Sequence, residues 1–124
     1  MYAVIKGVPQ NYLKEAVASK LTEVGLSLVD GKRPSSEYSG GMKRKLSVAC
    51  ATIGAPQIVF LDEPSTGMDP VARRDLWKVI SRMIAGRSDM PESQKPSVIL
   101  TTHSMEECER SVFEKIAMAH IHIY

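Results

Sequence analysis

A short, continuously apolar segment that ends in two carboxylates constrains the fold more than any other feature of the sequence. Residues 58–61 are all apolar, and Asp62 and Glu63 follow them directly. Such a run, rich in β-formers, is typical of a strand covered on both faces in a parallel sheet. Pro64 comes next, and a residue before proline favours an extended backbone, which we therefore expect at Glu63. Residues 97–102 predict a second buried strand.

Helical patterns alternate with these two strands. The predicted helices begin near Pro9, Gly40, Asp69 and Ser104, and the first three end near Gly25, Gly54 and Gly86. Apolar residues at helical spacing predict the buried faces of the first two helices: Leu13, Val17, Leu21 and Val24, then Met42, Leu46, Ala49 and Ile53. This alternation implies an α/β fold with parallel strands and crossover helices, in which ligands bind beyond the carboxyl ends of the strands.

Composition narrows the possible functions only modestly. The 124 residues suit one domain or part of one. The 16 Lys and Arg residues against 14 Asp and Glu give a net charge of +2, which is too small to indicate nucleic-acid binding. Cys50 and Cys108 lack metal-binding spacing, so we interpret them as reduced cytosolic thiols. No apolar run is long enough to span a bilayer.

Ser39, Gly40 and Gly41 stand where the second helix begins. Backbone N–H groups at a helix start are unpaired and lie at the positive end of the helix dipole. Glycine allows a phosphate to approach closely because it has no Cβ, and the Ser39 hydroxyl can add a donor. These residues predict an anion cradle; the alternative is a plain turn and helix cap.

Asp62 and Glu63 lie at the carboxyl end of the first strand, and successive strand residues face opposite ways. One carboxylate can hold Mg²⁺, commonly through water, and the other can orient or deprotonate an attacking water. An anion cradle and two adjacent carboxylates are the groups that a nucleoside triphosphate and its magnesium ion need. The alternative is a strand that simply ends in polar residues.

His103 follows the second strand, so it lies at the same edge of the predicted sheet. It can donate a hydrogen bond to a terminal phosphate, or it can be a surface histidine at the entry to a helix. No Gly-Lys-Ser or Gly-Lys-Thr phosphate loop occurs in the sequence.

Four segments in the same order resemble the motifs of ATP-binding cassette (ABC) transporters. Residues 38–46 resemble the signature motif, 58–63 the Walker B strand, 65–69 the D-loop and 102–104 the histidine switch. The lysine-rich form of the signature and residues 103–109 resemble subfamily A, whose members are mostly lipid exporters. The resemblance implies a partial nucleotide-binding domain with a P-loop NTPase-like fold. Residues 1–54 would hold part of the helical subdomain with the signature helix, 55–119 the core, and 120–124 a divergent tail.

The same resemblance implies a role for each candidate site residue. Asp62 would hold Mg²⁺, Glu63 would be the catalytic base and His103 would sense the γ-phosphate. The cradle residues Ser39, Gly40 and Gly41 would bind ATP held on an opposing cassette, and Asp69 would link the two sites.

The chain would then be the C-terminal part of an ATPase that couples ATP hydrolysis to the transport of lipid. It would act at the cytosolic face of a membrane, with a second nucleotide-binding domain and transmembrane domains as partners. The family's Walker A loop, A-loop aromatic and Q-loop glutamine are absent from the sequence. We therefore expect the chain alone to be inactive, and its form indicates a fragment or a truncated gene product. Two alternatives remain: a non-catalytic module that lends its signature motif to a partner, and a non-transport ABC ATPase.

Overall fold

The structure is a computed structural model that describes residues 1–85 and 96–102. The chain divides into two compact units, Met1–Pro56 and a second unit that begins at Gln57. The first contains α1 (Tyr2–Ile5), α2 (Leu13–Glu23) and α3 (Gly40–Thr52), and the second contains β1 (Ile58–Asp62), α4 (Pro70–Ala85) and β2 (Ser97–Thr101). Single 3₁₀ turns lie at Gln10–Tyr12, Asp30–Lys32 and Ser35–Glu37. The predicted helix at Ser104 and the tail 120–124 lie outside the described residues.

Helix α2 buries only the second half of its predicted apolar stripe. Leu21 and Val24 are buried, whereas the side chain of Val17 is 39% exposed. Val17 lines an open apolar cavity of about 220 Å³ in the first unit, together with residues of α1 and α3 such as Tyr2 and Leu46. The stripe is therefore core at one end and cavity wall at the other.

Helix α3 begins at Gly40, as predicted, because Ser39 is extended and caps it. Its buried face consists of Val48, Ala49 and Thr52, and Ile53 is buried just beyond it. Met42 and Leu46, predicted for this face, are only half-buried. The chain then turns at Gly54, where φ is +85° and an added Cβ would lie 2.8 Å from the Lys6 carbonyl oxygen. Backbone strain and close approach both require glycine there.

Strands β1 and β2 pair in parallel, in a register that aligns Ile58 with Ser97 and Asp62 with Thr101. One face of this pair is buried and consists of Val59, Leu61, Val98 and Leu100. The opposite face is open, since Ile58 is 56% and Phe60 71% exposed. The prediction that β1 is covered on both faces is therefore wrong within the described residues. A continuous apolar run shows that both faces of the strand are apolar, but it does not show whether another element packs against each face.

Helix α4 begins at Pro70 with Asp69 as its cap, as the sequence predicted. Its apolar face is buried and includes Leu76, Trp77, Val79, Ile80 and Met83. Charged residues occupy the exposed face, with Arg74, Lys78 and Arg82 open to solvent. Across the described part of the chain, no helix is both long and apolar enough to cross a membrane.

Candidate functional site

The end of β1 is tied to the end of β2 through the side chain of Asp62. Thr101 is the direct ladder partner of Asp62, and its hydroxyl donates a hydrogen bond to Asp62 Oδ1 at 2.5 Å. Asp62 is exposed to solvent. The parallel register therefore holds an accessible carboxylate against a hydroxyl donor at the carboxyl edge of the sheet, where ligands of α/β folds bind.

Glu63 departs from the extended backbone predicted for it. Its φ is +41°, in the left-handed region that non-glycine residues rarely adopt. Its backbone N–H donates to the carbonyl oxygen of Thr101 at 3.2 Å and to the Thr101 hydroxyl at 3.1 Å. Pro64 disfavours the right-handed helical region for Glu63, but it does not prevent a left-handed turn. Such a conformation costs on the order of 1–3 kcal/mol and persists where surrounding contacts hold it.

The loop after the strand folds back on Glu63. The backbone N–H of Thr66 donates to the Glu63 carbonyl oxygen at 3.2 Å, and the Thr66 hydroxyl donates to Glu63 Oε2 at 2.7 Å. Ser65 and Met68 are buried, and the backbone N–H of Met68 donates to the Ser65 carbonyl oxygen. Both the backbone and the carboxylate of Glu63 are therefore held by hydrogen bonds.

Sequence reasoning missed the two threonines that organise these carboxylates. Thr101 was predicted to lie in a strand, but its role depends on the register with β1. The only signal was that both strands end in polar residues. The sequence places Thr66 in the D-loop, but its contact with Glu63 depends on the left-handed turn at Glu63, which no sequence pattern predicts.

The side chains around Asp62 do not form a complete metal site. They are better suited to a magnesium ion that a bound nucleotide also coordinates. Within residues 1–85 and 96–102, no group of three His, Cys, Asp or Glu side chains could hold a metal ion. Asp62 Oδ1 accepts from Thr101, so Oδ2 is the oxygen better placed for a ligand. Mg²⁺ is usually bound by one or two carboxylates, water and substrate phosphates. One carboxylate, such as that of Asp62, is compatible with this kind of site.

Asp69 caps α4, as its residue type before Pro70 predicts, in addition to the role that the resemblance implies. Its Oδ1 accepts hydrogen bonds from the backbone N–H groups of Val71 and Ala72, both at 3.0 Å. The bond from Ala72 is the largest cause that lowers the pKa of Asp69, and the bond from Val71 acts in the same direction. Capping thus keeps this exposed carboxylate ionised. Its predicted role between two nucleotide sites stays a prediction.

The cradle residues lie in the first unit, at the start of α3. Ser39 Oγ accepts from the backbone N–H of Met42 at 3.3 Å, which leaves its hydroxyl hydrogen able to donate elsewhere. Ser39 and Gly40 are exposed. Among residues 1–85 and 96–102, a Cβ added at Gly40 would have no atom within 4 Å. Packing among these residues therefore does not require glycine at position 40, which leaves the backbone there open to close approach.

Two further predictions concern His103 and the cysteines. His103 lies outside the described residues, as does Cys108. Cys50 is a half-buried free thiol, and burial raises its pKa. A thiol with a raised pKa forms less thiolate and therefore reacts more slowly.

A protein-family model described as "AAA domain, putative AbiEii toxin, Type IV TA system" matches residues 23–109. The match covers more than half of the chain. It includes the candidate site residues Ser39, Asp62, Glu63, Asp69 and His103.

Curated relatives match a larger share of the chain. ABC transporter A family member 2 of Arabidopsis thaliana is 48% identical over 109 residues, which is 88% of this chain and 10% of the relative. ATP-binding cassette sub-family A member 7 of Mus musculus is 49% identical over 111 residues, 88% of this chain and 5% of the relative. Phospholipid-transporting ATPase ABCA7 of Homo sapiens is 47% identical over 110 residues, again 88% and 5%.

The chain therefore spans about a tenth or less of the length of these relatives. The family match, the parallel strands with their crossover helix and the four motifs agree with one another. The chain belongs to the AAA-domain family and is a partial α/β nucleotide-binding domain of the ABC type, similar to those of subfamily A.

Proposed function

We propose that this chain works as part of a transporter ATPase that couples ATP binding and hydrolysis to the movement of lipid across a membrane. The proposal is supported by 47–49% identity to A-family transporters, one of which is named a phospholipid-transporting ATPase. Its partners would be a second nucleotide-binding domain and transmembrane domains. Its place would be the cytosolic face of the membrane.

The arrangement of Asp62, Glu63 and Thr101 is the observation that carries the proposal. Asp62 would hold Mg²⁺, which neutralises the charge that develops on the phosphates during transfer. Glu63 would accept a proton from the attacking water or orient it, which is worth about 10²–10⁴ in rate for a positioned base. The two carboxylates are suited to different tasks because Asp62 is exposed whereas Glu63 is half-buried and bound by the loop.

The remaining site residues complete the proposal. Ser39, Gly40 and Gly41 would bind the γ-phosphate of ATP held by the second domain. The exposure of Ser39 and the open space beside Gly40 are compatible with a ligand from outside this chain. Asp69 would connect the two sites, and His103 would contact the γ-phosphate.

The two alternatives have less support. A module that only lends its signature motif would have no use for the ordered contacts around Glu63. A non-transport ABC ATPase would be expected to resemble relatives of that kind, whereas the relatives reported above are A-family members.

Reconstitution tests the proposal directly. A transporter that contains this sequence, together with a Walker A loop and transmembrane domains, would be placed in phospholipid vesicles with a fluorescent phospholipid. We expect lipid redistribution that requires Mg²⁺ and ATP and is lost in Glu63→Gln. ATP hydrolysis without lipid movement, for a panel of phospholipids, would refute the transport part of the proposal.

A further inference from the structure

We propose that Thr101 is a positioning residue that couples the metal ligand Asp62 to the base Glu63 through a single hydroxyl group. This inference rests on the proposed function, because it assigns a role to Thr101 in the same site.

The Thr101 hydroxyl donates one hydrogen bond and accepts another, each with a different one of the two acidic residues. A hydroxyl has one hydrogen to donate and two lone pairs that accept. Thr101 donates its hydrogen to Asp62 Oδ1 at 2.5 Å and accepts the backbone N–H of Glu63 at 3.1 Å. The same oxygen atom is therefore bonded to the side chain of one carboxylate residue and to the backbone of the other.

The bond to Asp62 restrains the orientation of an exposed side chain. Asp62 is exposed, and within the described part of the chain its carboxylate has the Thr101 hydroxyl as its hydrogen-bond partner. A hydrogen bond to an ionised acceptor is short and strong. It selects one orientation of the carboxylate and directs Oδ2 away from the hydroxyl. Outer contacts of this kind to a ligating side chain typically change metal affinity or activity by about 10–100-fold when removed.

The bond to Glu63 holds an unusual backbone conformation. Glu63 has a φ of +41°, and Thr101 supplies two acceptors to its N–H, the hydroxyl and the carbonyl oxygen. Since both bonds come from one residue of β2, the position of Glu63 depends on the strand pairing. Movement of β2 along β1 would displace both carboxylates together.

Substitution can separate the hydroxyl from the shape of the side chain. Thr101→Val keeps the branched shape and strand preference of threonine but removes the hydroxyl. Thr101→Ser keeps the hydroxyl and removes a methyl group. Thr22→Val makes the same chemical change as Thr101→Val on an exposed residue of α2, and it serves as the matched control.

The test measures the Mg²⁺ dependence of ATP hydrolysis in a complete cassette that contains this sequence and a Walker A loop. For Thr101→Val we expect the Mg²⁺ concentration at half-maximal rate to rise by about 10–100-fold. We also expect kcat to fall while the nucleotide Kd measured without Mg²⁺ stays within about twofold of wild type, because Thr101 acts on the metal ligand and the base and not on the nucleotide. Thr101→Ser and Thr22→Val should stay close to wild type in all three quantities.

Amide exchange provides a second reading that does not depend on activity. In the full 124-residue chain, the Glu63 amide should exchange faster in Thr101→Val than in wild type or Thr101→Ser, because it loses one of its two acceptors. Unchanged exchange would overturn the inference.

Two further results would overturn it: wild-type Mg²⁺ dependence in a folded Thr101→Val, or a loss in Thr101→Ser as large as that in Thr101→Val. Failure of the proposed function has a different signature, namely wild-type hydrolysis by Glu63→Gln. An inactive Glu63→Gln beside a normal Thr101→Val would remove only the role of Thr101.

Discussion

The Thr66 hydroxyl donates a hydrogen bond to Glu63 Oε2 at 2.7 Å. Thr66 belongs to the loop that joins β1 to α4, and its backbone N–H also donates to the Glu63 carbonyl oxygen. The loop therefore contacts both the backbone and the carboxylate of Glu63, the proposed base. Because Thr66 is exposed, water can partly replace its hydroxyl, which limits the net value of this bond.

Removal of the Thr66 hydroxyl should slow hydrolysis without weakening nucleotide binding. A net loss of about 0.5–1.5 kcal/mol for such a bond corresponds to a rate lower by about 2–10-fold. Thr66→Val and Thr66→Ser would be compared in the complete cassette by kcat and by nucleotide Kd. Serine should restore the rate; equal loss in both variants would show that the methyl group matters and the hydroxyl does not.

Asp62 and Glu63 should give different defects when each carboxylate is replaced by its amide. Glu63→Gln should leave Mg²⁺-ATP binding intact and slow hydrolysis by about 10²-fold or more, because a general base acts after binding. Asp62→Asn should also weaken Mg²⁺-dependent binding, since it loses the charge that holds the metal. Equilibrium binding with and without Mg²⁺, beside steady-state rates, separates the two. The same modest defect in both variants would contradict distinct roles.

The 124-residue chain by itself should not hydrolyse ATP. Its sequence has no lysine-bearing phosphate loop, so nothing would anchor the β- and γ-phosphates beside the two carboxylates. We expect phosphate release from Mg²⁺-ATP by the purified chain to match that of its Glu63→Gln control. Turnover well above this control would show that another part of the chain binds the nucleotide.

Local signals in the sequence predicted the helix starts and the identity of the strands well. Ser39 and Asp69 cap the helices that their residue types predicted, and β1 and β2 pair in parallel. These features depend on a few neighbouring residues, so a single sequence contains them. The exposed face at Phe60 could not be predicted, because burial depends on what packs against the strand.

The contacts around Glu63 depend on information that no local pattern carries. The pairing of Asp62 with Thr101 joins residues 39 positions apart, and it is fixed only by the register of the two strands. The rule for residues before proline correctly disfavours a right-handed helical backbone at Glu63, but it cannot choose between an extended and a left-handed conformation. The backbone N–H bonds to Thr101 accompany the left-handed turn.

The cap of α4 should contribute pH-dependent stability through Asp69. Its folded-state pKa is lowered by the bonds from the backbone N–H groups of Ala72 and Val71. The stabilisation is therefore present above the unfolded pKa, about 3.9, and is lost as the pH falls through the lower folded pKa. In the 124-residue chain, Asp69→Ala should lower Tm by a few degrees at pH 7. It should also speed amide exchange at Val71 and Ala72.

Asp69→Asn is the matched control, because asparagine caps helices about as well as aspartate but does not titrate. The difference in Tm between wild type and Asp69→Asn should change with pH only below about pH 4. A pH-independent difference would show that the charge of Asp69 does not contribute.

The cradle at the start of α3 should act on a nucleotide held by the partner domain. A Cβ at Gly40 meets no atom of the part of the chain that the structure describes, and alanine favours a helix more than glycine by up to about 1 kcal/mol. Gly40→Ala should therefore leave Tm unchanged or slightly raised. If a phosphate approaches this backbone in the closed dimer, the same variant should still weaken ATP-driven dimerisation.

Gly41→Asp should have a larger effect, since it places a carboxylate where the γ-phosphate would lie. Repulsion and the lost approach of the backbone N–H should cost a few kcal/mol in the closed dimer, on the order of charge-assisted hydrogen bonds. Dimerisation would be followed by light scattering in a Glu63→Gln background, which slows ATP turnover, and monomer affinity by equilibrium ATP binding. We expect dimerisation to be lost and monomer affinity to stay nearly unchanged, because the cradle would not belong to the monomer's own site. Lost monomer affinity with intact dimerisation would refute action on the partner's nucleotide.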